Sequence, residues 1–243
     1  MTRHVYFHGL PGSAAELHFL SGLDIEAPQL MHPADWQYAA QSASNPKDSF
    51  IGFSLGAFGA IRAAAQRKSA KSLHLISPAA PLELGDFLNS MAGAPVFKAA
   101  RTHHYLLTAL TYGQRTLAQL APERLIKQIF ATSPAADKTL LDGQEFRDSC
   151  RDGIHAALIN DRKRYLATIH AYVRPWAQLI DELECPVHIY QGSADTWTPP
   201  AMAEALSHRL GDRCTLDVLD GLGHYSTLHQ SLPKILRHEV ANP

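Results

Sequence analysis

Cysteine is scarce. The three in this 243-residue chain, Cys150, Cys185 and Cys214, are odd in number and far apart, with no CxxC spacing. That excludes a disulfide framework and a cysteine-rich metal site, and reads as reduced packing residues. Long apolar runs are also missing: no stretch approaches the roughly 18 residues of a membrane-spanning helix. The opening Met-Thr-Arg-His-Val-Tyr-Phe-His-Gly lacks the apolar run and small-residue cleavage site of a signal peptide, so a cytoplasmic protein is expected. Excess charge is absent too. The 22 Lys+Arg against 23 Asp+Glu leave a formal charge of −1, which gives no electrostatic case for a nucleic acid or a membrane surface as partner. No H-E-x-x-H occurs, and His4 and His8 lie in an extended segment, so neither a metal nor another cofactor is expected. What the chain has in quantity is histidine, with 14 residues, and a hydrophobic share of 46%, enough for one large core.

Short apolar runs alternate with helical patterns in the N-terminal half. Val5-Tyr6-Phe7 reads as a strand that ends at His8-Gly9, and Leu23 to Leu30 as a second, held to an edge by Pro28. A helix from Ala34 to Ala43 and a turn at Ser44-Asn45-Pro46 follow. Ser49 to Phe53 is a third strand leading into a helix that runs to about Lys68, and Ser72 to Ile76 a fourth. Residues 82–181 carry helical periodicity and no convincing strand. Pro122 and Pro134 sit where helices open, and Gly85, Gly93, Gly113, Gly143 and Gly153 divide the segment into four or five helices. Strand character returns at Pro186 to Tyr190 and at Cys214 to Leu219, before a closing helix from Ser226 to Val240. The pattern predicts an α/β fold. Residues 1–81 and 182–243 form a parallel, doubly wound core, and residues 82–181 form a helical cap inserted after the fourth strand.

Gly52-Phe53-Ser54-Leu55-Gly56 is G-x-S-x-G between a predicted strand and a predicted helix. A strand-to-helix turn this sharp projects the serine hydroxyl from the sheet, and the flanking glycines avoid clashes where strand and helix cross. The N–H of Leu55, at the helix N-terminus, is placed to donate to an oxyanion. His8-Gly9-Leu10-Pro11-Gly12-Ser13 follows the first strand, where a glycine-rich loop can turn the Leu10 N–H toward the same point. His8 itself is expected to shape that loop through a hydrogen bond of its ring.

With these motifs in order the chain resembles the α/β-hydrolases, in particular their capped, single-domain serine hydrolases. The resemblance covers everything except the cap. It implies a nucleophile at Ser54, an acid after the next-to-last strand and a base after the last. Asp195, in Gln191-Gly192-Ser193-Ala194-Asp195-Thr196-Trp197, fits the second, and His224, in Asp220-Gly221-Leu222-Gly223-His224-Tyr225, fits the third. The family's opening strands are missing, because His8-Gly9 lies so near the start. The sheet should therefore be shortened to about six strands in the order 2-1-3-4-5-6. A serine at the nucleophile position argues against the haloalkane dehalogenase and epoxide hydrolase branches, which use a carboxylate there.

The expected reaction is hydrolysis of a small or medium carboxylic ester, thioester or amide through an acyl-enzyme. Acyl transfer on the same fold, or a slow-turnover ligand-binding or signalling protein, are the alternatives. Trp197 and Tyr225, beside the acid and the base, could line a substrate pocket, and packing roles are equally open for them and for Trp176. Asp217 and Asp220 are weaker candidates for the acid. His103-His104-Tyr105 reads as a helix surface rather than a pocket wall, and Arg162-Lys163-Arg164 as a solvated helix face.

Overall fold

The computed structural model describes residues 3–42 and 48–241. Six strands form one all-parallel sheet: β1 (His4–Phe7), β2 (Gln29–Met31), β3 (Ser49–Phe53), β4 (Ser72–Ile76), β5 (Val187–Gly192) and β6 (Cys214–Leu219). Their order is β2-β1-β3-β4-β5-β6, as the sequence predicts. Every residue of β3 and β4 is buried, the condition of central strands covered on both faces. The register pairs Phe7 with Gly52, Phe53 with Ile76, Ile76 with Tyr190 and Gly192 with Leu219. All carboxyl ends therefore finish at one level, and the loops that follow them crowd one end of the sheet.

β2 does lie at the edge, but it spans three residues and begins only after Pro28. Proline cannot donate to a ladder, and Leu23 to Pro28 stay irregular. The helix expected over 34–43 is a 3-10 turn, Pro33–Asp35, leading into α1 (Trp36–Ser42). The turn expected at Ser44-Asn45-Pro46 lies outside the described residues. α2 (Gly56–Arg67) buries nine of its twelve residues, five of them alanine, so it runs close along the sheet. A Cβ at Gly52 would stand 2.7 Å from the Cα of Ala57, and one at Gly56 would land on the carbonyl oxygen of Phe7.

Between β4 and β5 the chain forms α3 (Ala94–Thr102), α4 (His104–Leu120), α5 (Pro122–Ile129), α6 (Ala135–Leu140), α7 (Gln144–His155), α8 (Arg162–Tyr172) and α9 (Gln178–Asp181). Seven α-helices stand among the described residues here rather than four or five. Pro122 opens α5 and Pro134 directly precedes α6. Gly113 and Gly153, however, sit inside α4 and α7 instead of ending them. An added Cβ at Gly113 meets open space, whereas one at Gly153 would stand 3.0 Å from the Cα of Gly12. The two ends of the segment are tied together at its base. Tyr172 Oη donates to the Ala80 carbonyl at 2.7 Å, and Glu83 Oε1 accepts from the N–H groups of Trp176 at 2.5 Å and Ala177 at 2.6 Å. α10 (Pro200–Leu210) connects β5 to β6, and α11 (His224–Ala241) closes the chain. Among the described residues no helix is long and apolar enough to cross a membrane.

Candidate active site

Ser54 lies between β3 and α2 with φ of +55°, in the left-handed region that non-glycine residues enter at a cost on the order of 1 kcal/mol or more. Three main-chain bonds hold it there. Its N–H donates to Ile76 at 3.0 Å, and its carbonyl accepts from Ala57 at 3.1 Å and Ala79 at 3.0 Å. Ser77 at the end of β4 is also left-handed, with φ of +44°. The Leu55 N–H follows at the start of α2, where the helix dipole favours negative charge. The Ser54 hydroxyl is hydrogen-bonded to no described residue.

Asp195 and His224 come together from the loops after β5 and β6. His224 Nδ1 stands 2.8 Å from Asp195 Oδ2, and because an ionised carboxylate only accepts, the ring nitrogen is the donor. Asp195 Oδ1 takes the N–H groups of Trp197 at 2.8 Å and Thr198 at 3.0 Å. Burial alone would raise this carboxyl. The charge and hydrogen bond of His224, with the N–H groups of Thr198 and Trp197, outweigh it and hold the group below the ordinary aspartate value. Thr198 Oγ1 donates to the Ser77 carbonyl at 2.9 Å while lying 3.0 Å from Asp195 Oδ2, which links the loop after β5 to the end of β4. The Phe53 ring, one residue before Ser54, stands 4.7 Å from the His224 ring, so the serine turn and the imidazole meet at the carboxyl end of β3.

The loop after β1 is organised by a residue that composition and motif do not single out. Glu16, buried, accepts the Gly9 N–H on both carboxylate oxygens at 3.1 Å and the Tyr6 hydroxyl at 2.6 Å. Burial raises its carboxyl to about 7, against the lowering effect of Tyr6, Gly9 and His224. His8 Nδ1 donates to the Gly9 carbonyl at 2.6 Å, and burial pushes its ring down to about 4. The loop thus has its shape set from both sides of Gly9, and the Leu10 N–H donates to no described group.

Trp197 is half-buried, with its ring stacked on His224 at 5.3 Å and 11°. Tyr225 is buried among Phe53, Phe130 and Phe146, with ring centroids 5.2 to 5.5 Å away. Trp176 is buried against Phe58. Asp217 and Asp220 are exposed, and Asp220 accepts from Ser193 at 3.1 Å, away from the imidazole. His103 and Tyr105 are exposed on the segment's surface. The basic run is less solvated than expected: Arg162 lies over the Tyr112 ring at 4.1 Å and Arg164 pairs with Asp35. Among the described residues no cluster of three or more His, Cys, Asp or Glu could hold a metal ion. A groove of about 630 Å³ lined by Lys71, His74, His188, Tyr190, Asp217 and Lys234 among others shares no residue with the serine, aspartate and histidine.

Asp137 of α6 reads in the sequence only as an acid in a helix's first turn. In the structure its Oδ2 accepts the His224 N–H at 2.8 Å and the Tyr225 N–H at 3.4 Å. Its Oδ1 accepts the N–H and the hydroxyl of Ser226 at 2.8 and 2.7 Å. Nearby, Trp197 Nε1 donates to Ser133 Oγ at 3.1 Å. Residues 133–137 therefore touch both the loop bearing Asp195 and the loop bearing His224.

Comparison of the sequence with protein-family models and with curated proteins returns no match. Solved structures do match over nearly the whole chain. A bromoperoxidase from Bacillus anthracis superposes with a TM-score of 0.66 at 13% identity, covering 99% of this chain and 92% of that one. An enol-lactonase from Burkholderia xenovorans LB400 gives 0.63 at 15%, with 99% and 92% covered, and a thermophilic esterase from Thermogutta terrifontis gives 0.62 at 15%, with 98% and 90% covered. At such identities the likeness establishes the fold, and the chemistry has to come from the residues.

Proposed function

On the α/β-hydrolase fold that this chain carries, we propose that Ser54, His224 and Asp195 act as nucleophile, base and orienting acid of a serine hydrolase. Its substrate is a small-molecule carboxylic ester with a small or medium acyl group. The observation that carries this reading is the buried 2.8 Å bond between His224 Nδ1 and Asp195 Oδ2, set beside a left-handed serine at the end of β3. With Nδ1 committed to the carboxylate, Nε2 is the nitrogen left to take a proton.

In this mechanism His224 Nε2 takes the Ser54 hydroxyl proton as Oγ attacks the ester carbonyl carbon. The tetrahedral oxyanion receives the N–H groups of Leu10 and Leu55. Each such donor contributes roughly 3 kcal/mol to the transition state. The imidazolium, stabilised by Asp195, then protonates the leaving alkoxide as the C–O bond breaks. Water, deprotonated by His224, attacks the acyl-enzyme in turn, and Ser54 leaves with the proton. The helices of residues 82–181 act as a cap over the strand ends. Trp197 contributes the wall that faces substrate, and Tyr225 backs the base from within the aromatic cluster. Esterases and an enol-lactonase among the similar structures support hydrolysis of an acyl–oxygen bond.

The test is a fluorophosphonate probe together with short p-nitrophenyl esters. Wild type is expected to be labelled at Ser54 and to release p-nitrophenol with a burst. Ser54→Ala should lose labelling and at least about a thousandfold in rate while staying folded. An unchanged rate in Ser54→Ala overturns the mechanism. Transfer of the acyl group to an added alcohol in preference to water would make the enzyme an acyltransferase.

A further inference from the structure

A helix that starts at its own catalytic base needs acceptors for its first N–H groups, and these normally come from the residue just before it. Here that residue is Gly223, which has no side chain. The acceptors are supplied instead by Asp137, 87 residues earlier in the chain, through four contacts of 2.7 to 3.4 Å to His224, Tyr225 and Ser226. Gly223 is what admits them: a Cβ there would stand 2.5 Å from Pro134 Cγ and 2.6 Å from Asp137 Oδ2. Asp137 has 0% of its surface exposed, and no Lys or Arg among the described residues pairs with it. Among the described residues its hydrogen-bond donors are the first N–H groups of α11 and the Ser226 hydroxyl.

Resting on the reading of His224 as the base, we infer that Asp137 is a positioning residue for the reaction. His224 is then held by two carboxylates, its main-chain nitrogen by Asp137 and its ring Nδ1 by Asp195, with Ser77 Oγ 3.5 Å from its carbonyl oxygen and Thr198 Oγ1 3.2 Å from Nδ1. Together with the Trp197 ring stacked on the imidazole, these two anchors restrict where Nε2 lies more closely than the ring bond to Asp195 does by itself. The same stretch holds the ring packed on the imidazole, because Ser133 accepts from Trp197. The β4–β5 segment therefore does more than cover the strand ends: it is part of the scaffold that aims the base. A group acting in this way should affect the chemical step and leave substrate binding alone, since proximity and orientation enter the barrier rather than the ground-state complex.

The experiment compares wild type, Asp137→Asn and Ser226→Ala on a p-nitrophenyl ester, with circular dichroism and thermal melts to establish folding. Asp137→Asn keeps the shape but turns an amide group toward N–H donors. It is expected to lower kcat at least about tenfold with KM within about threefold. It should also broaden or shift the low-field proton resonance of the His224–Asp195 hydrogen bond, which a distant packing defect would not move. Ser226→Ala leaves the carboxylate and its main-chain bonds in place and is expected to lose about threefold in kcat at constant KM. It keeps the test decisive if Asp137→Asn does not fold. Unchanged kcat and an unmoved low-field resonance in whichever variants fold overturn the inference. Wild type that neither labels with fluorophosphonate nor turns over overturns both this inference and the proposed function. Labelled, active wild type with unaffected variants overturns this inference alone.

Discussion

Replacing Glu16 by glutamine puts a number on the loop that carries Leu10. The buried carboxyl titrates at about 7 in the folded chain, raised first by desolvation, against an ordinary value of 4.5. A folded value above the unfolded one means the folded chain keeps a proton that the unfolded chain has already lost. Stability from this group is therefore highest at low pH and falls as pH rises through about 7. A gap of that size corresponds to about 3 kcal/mol, about 2 of which should be lost between about pH 5 and pH 8. His8 and His32 work in the opposite direction. Burial holds them down to about 4 and about 3, so their contribution is present above the ordinary histidine value and is lost as pH falls toward those values. The wild-type profile alone mixes these signs, and the comparison must be with a variant. The amide introduced by Glu16→Gln has no proton to lose, could accept the Gly9 N–H through its oxygen, and could donate to Tyr6. Urea melts should then find Glu16→Gln gaining on wild type by about 2 kcal/mol as the buffer is raised from about pH 5 to about pH 8. Parallel stability profiles for the two proteins across that range would refute the reasoning.

Two further outcomes follow from the serine turn and the acid loop. Gly56→Ala places a methyl on the Phe7 carbonyl oxygen, so backbone has to move; about 3 kcal/mol, or about 9 °C in Tm, should be lost, and a Tm equal to wild type would contradict the close approach described. Thr198→Val removes the hydroxyl that donates to Ser77 and leaves that buried carbonyl without its side-chain donor. A drop of about 2 kcal/mol in a denaturant titration is expected, and no change would mean the hydroxyl has no structural weight.

What is legible in the sequence is local. The strand–Ser54–helix turn, the glycine loop at His8 and the loops bearing Asp195 and His224 all sit where a strand ends in small residues, and those signals lie within a few positions of one another. β3 and β4 can be read because central parallel strands are continuously apolar. β2 reads correctly as an edge strand but too long, since Ile25 packs on the core without joining the ladder while Leu23 and Ala27 are exposed. Glycine is ambiguous inside helices: Gly113 and Gly153 read as stops, yet one faces open space and the other makes a close packing contact. Glu16 and Asp137 are invisible as site residues for a different reason. Each has its partners fixed by tertiary structure, Asp137 across 87 residues, and a carboxylate in a short helical turn has the same local signature whether it meets water or buried N–H groups.

The contact between Gly153 of α7 and Gly12 has a bearing on how this scaffold can be altered. A Cβ on Gly153 would stand 3.0 Å from the Cα of Gly12, and one on Gly12 would run into the Gly9 carbonyl oxygen and Glu16 Oε1, so neither position has room for a side chain. A library that varies α7 has to hold 12 and 153 constant and draw its diversity from the helix's other faces. Excising residues 82–181 would likewise strip the glycine loop of its neighbour, even though all six strands would remain. The loop and the helix pack as one unit, despite lying far apart in the chain.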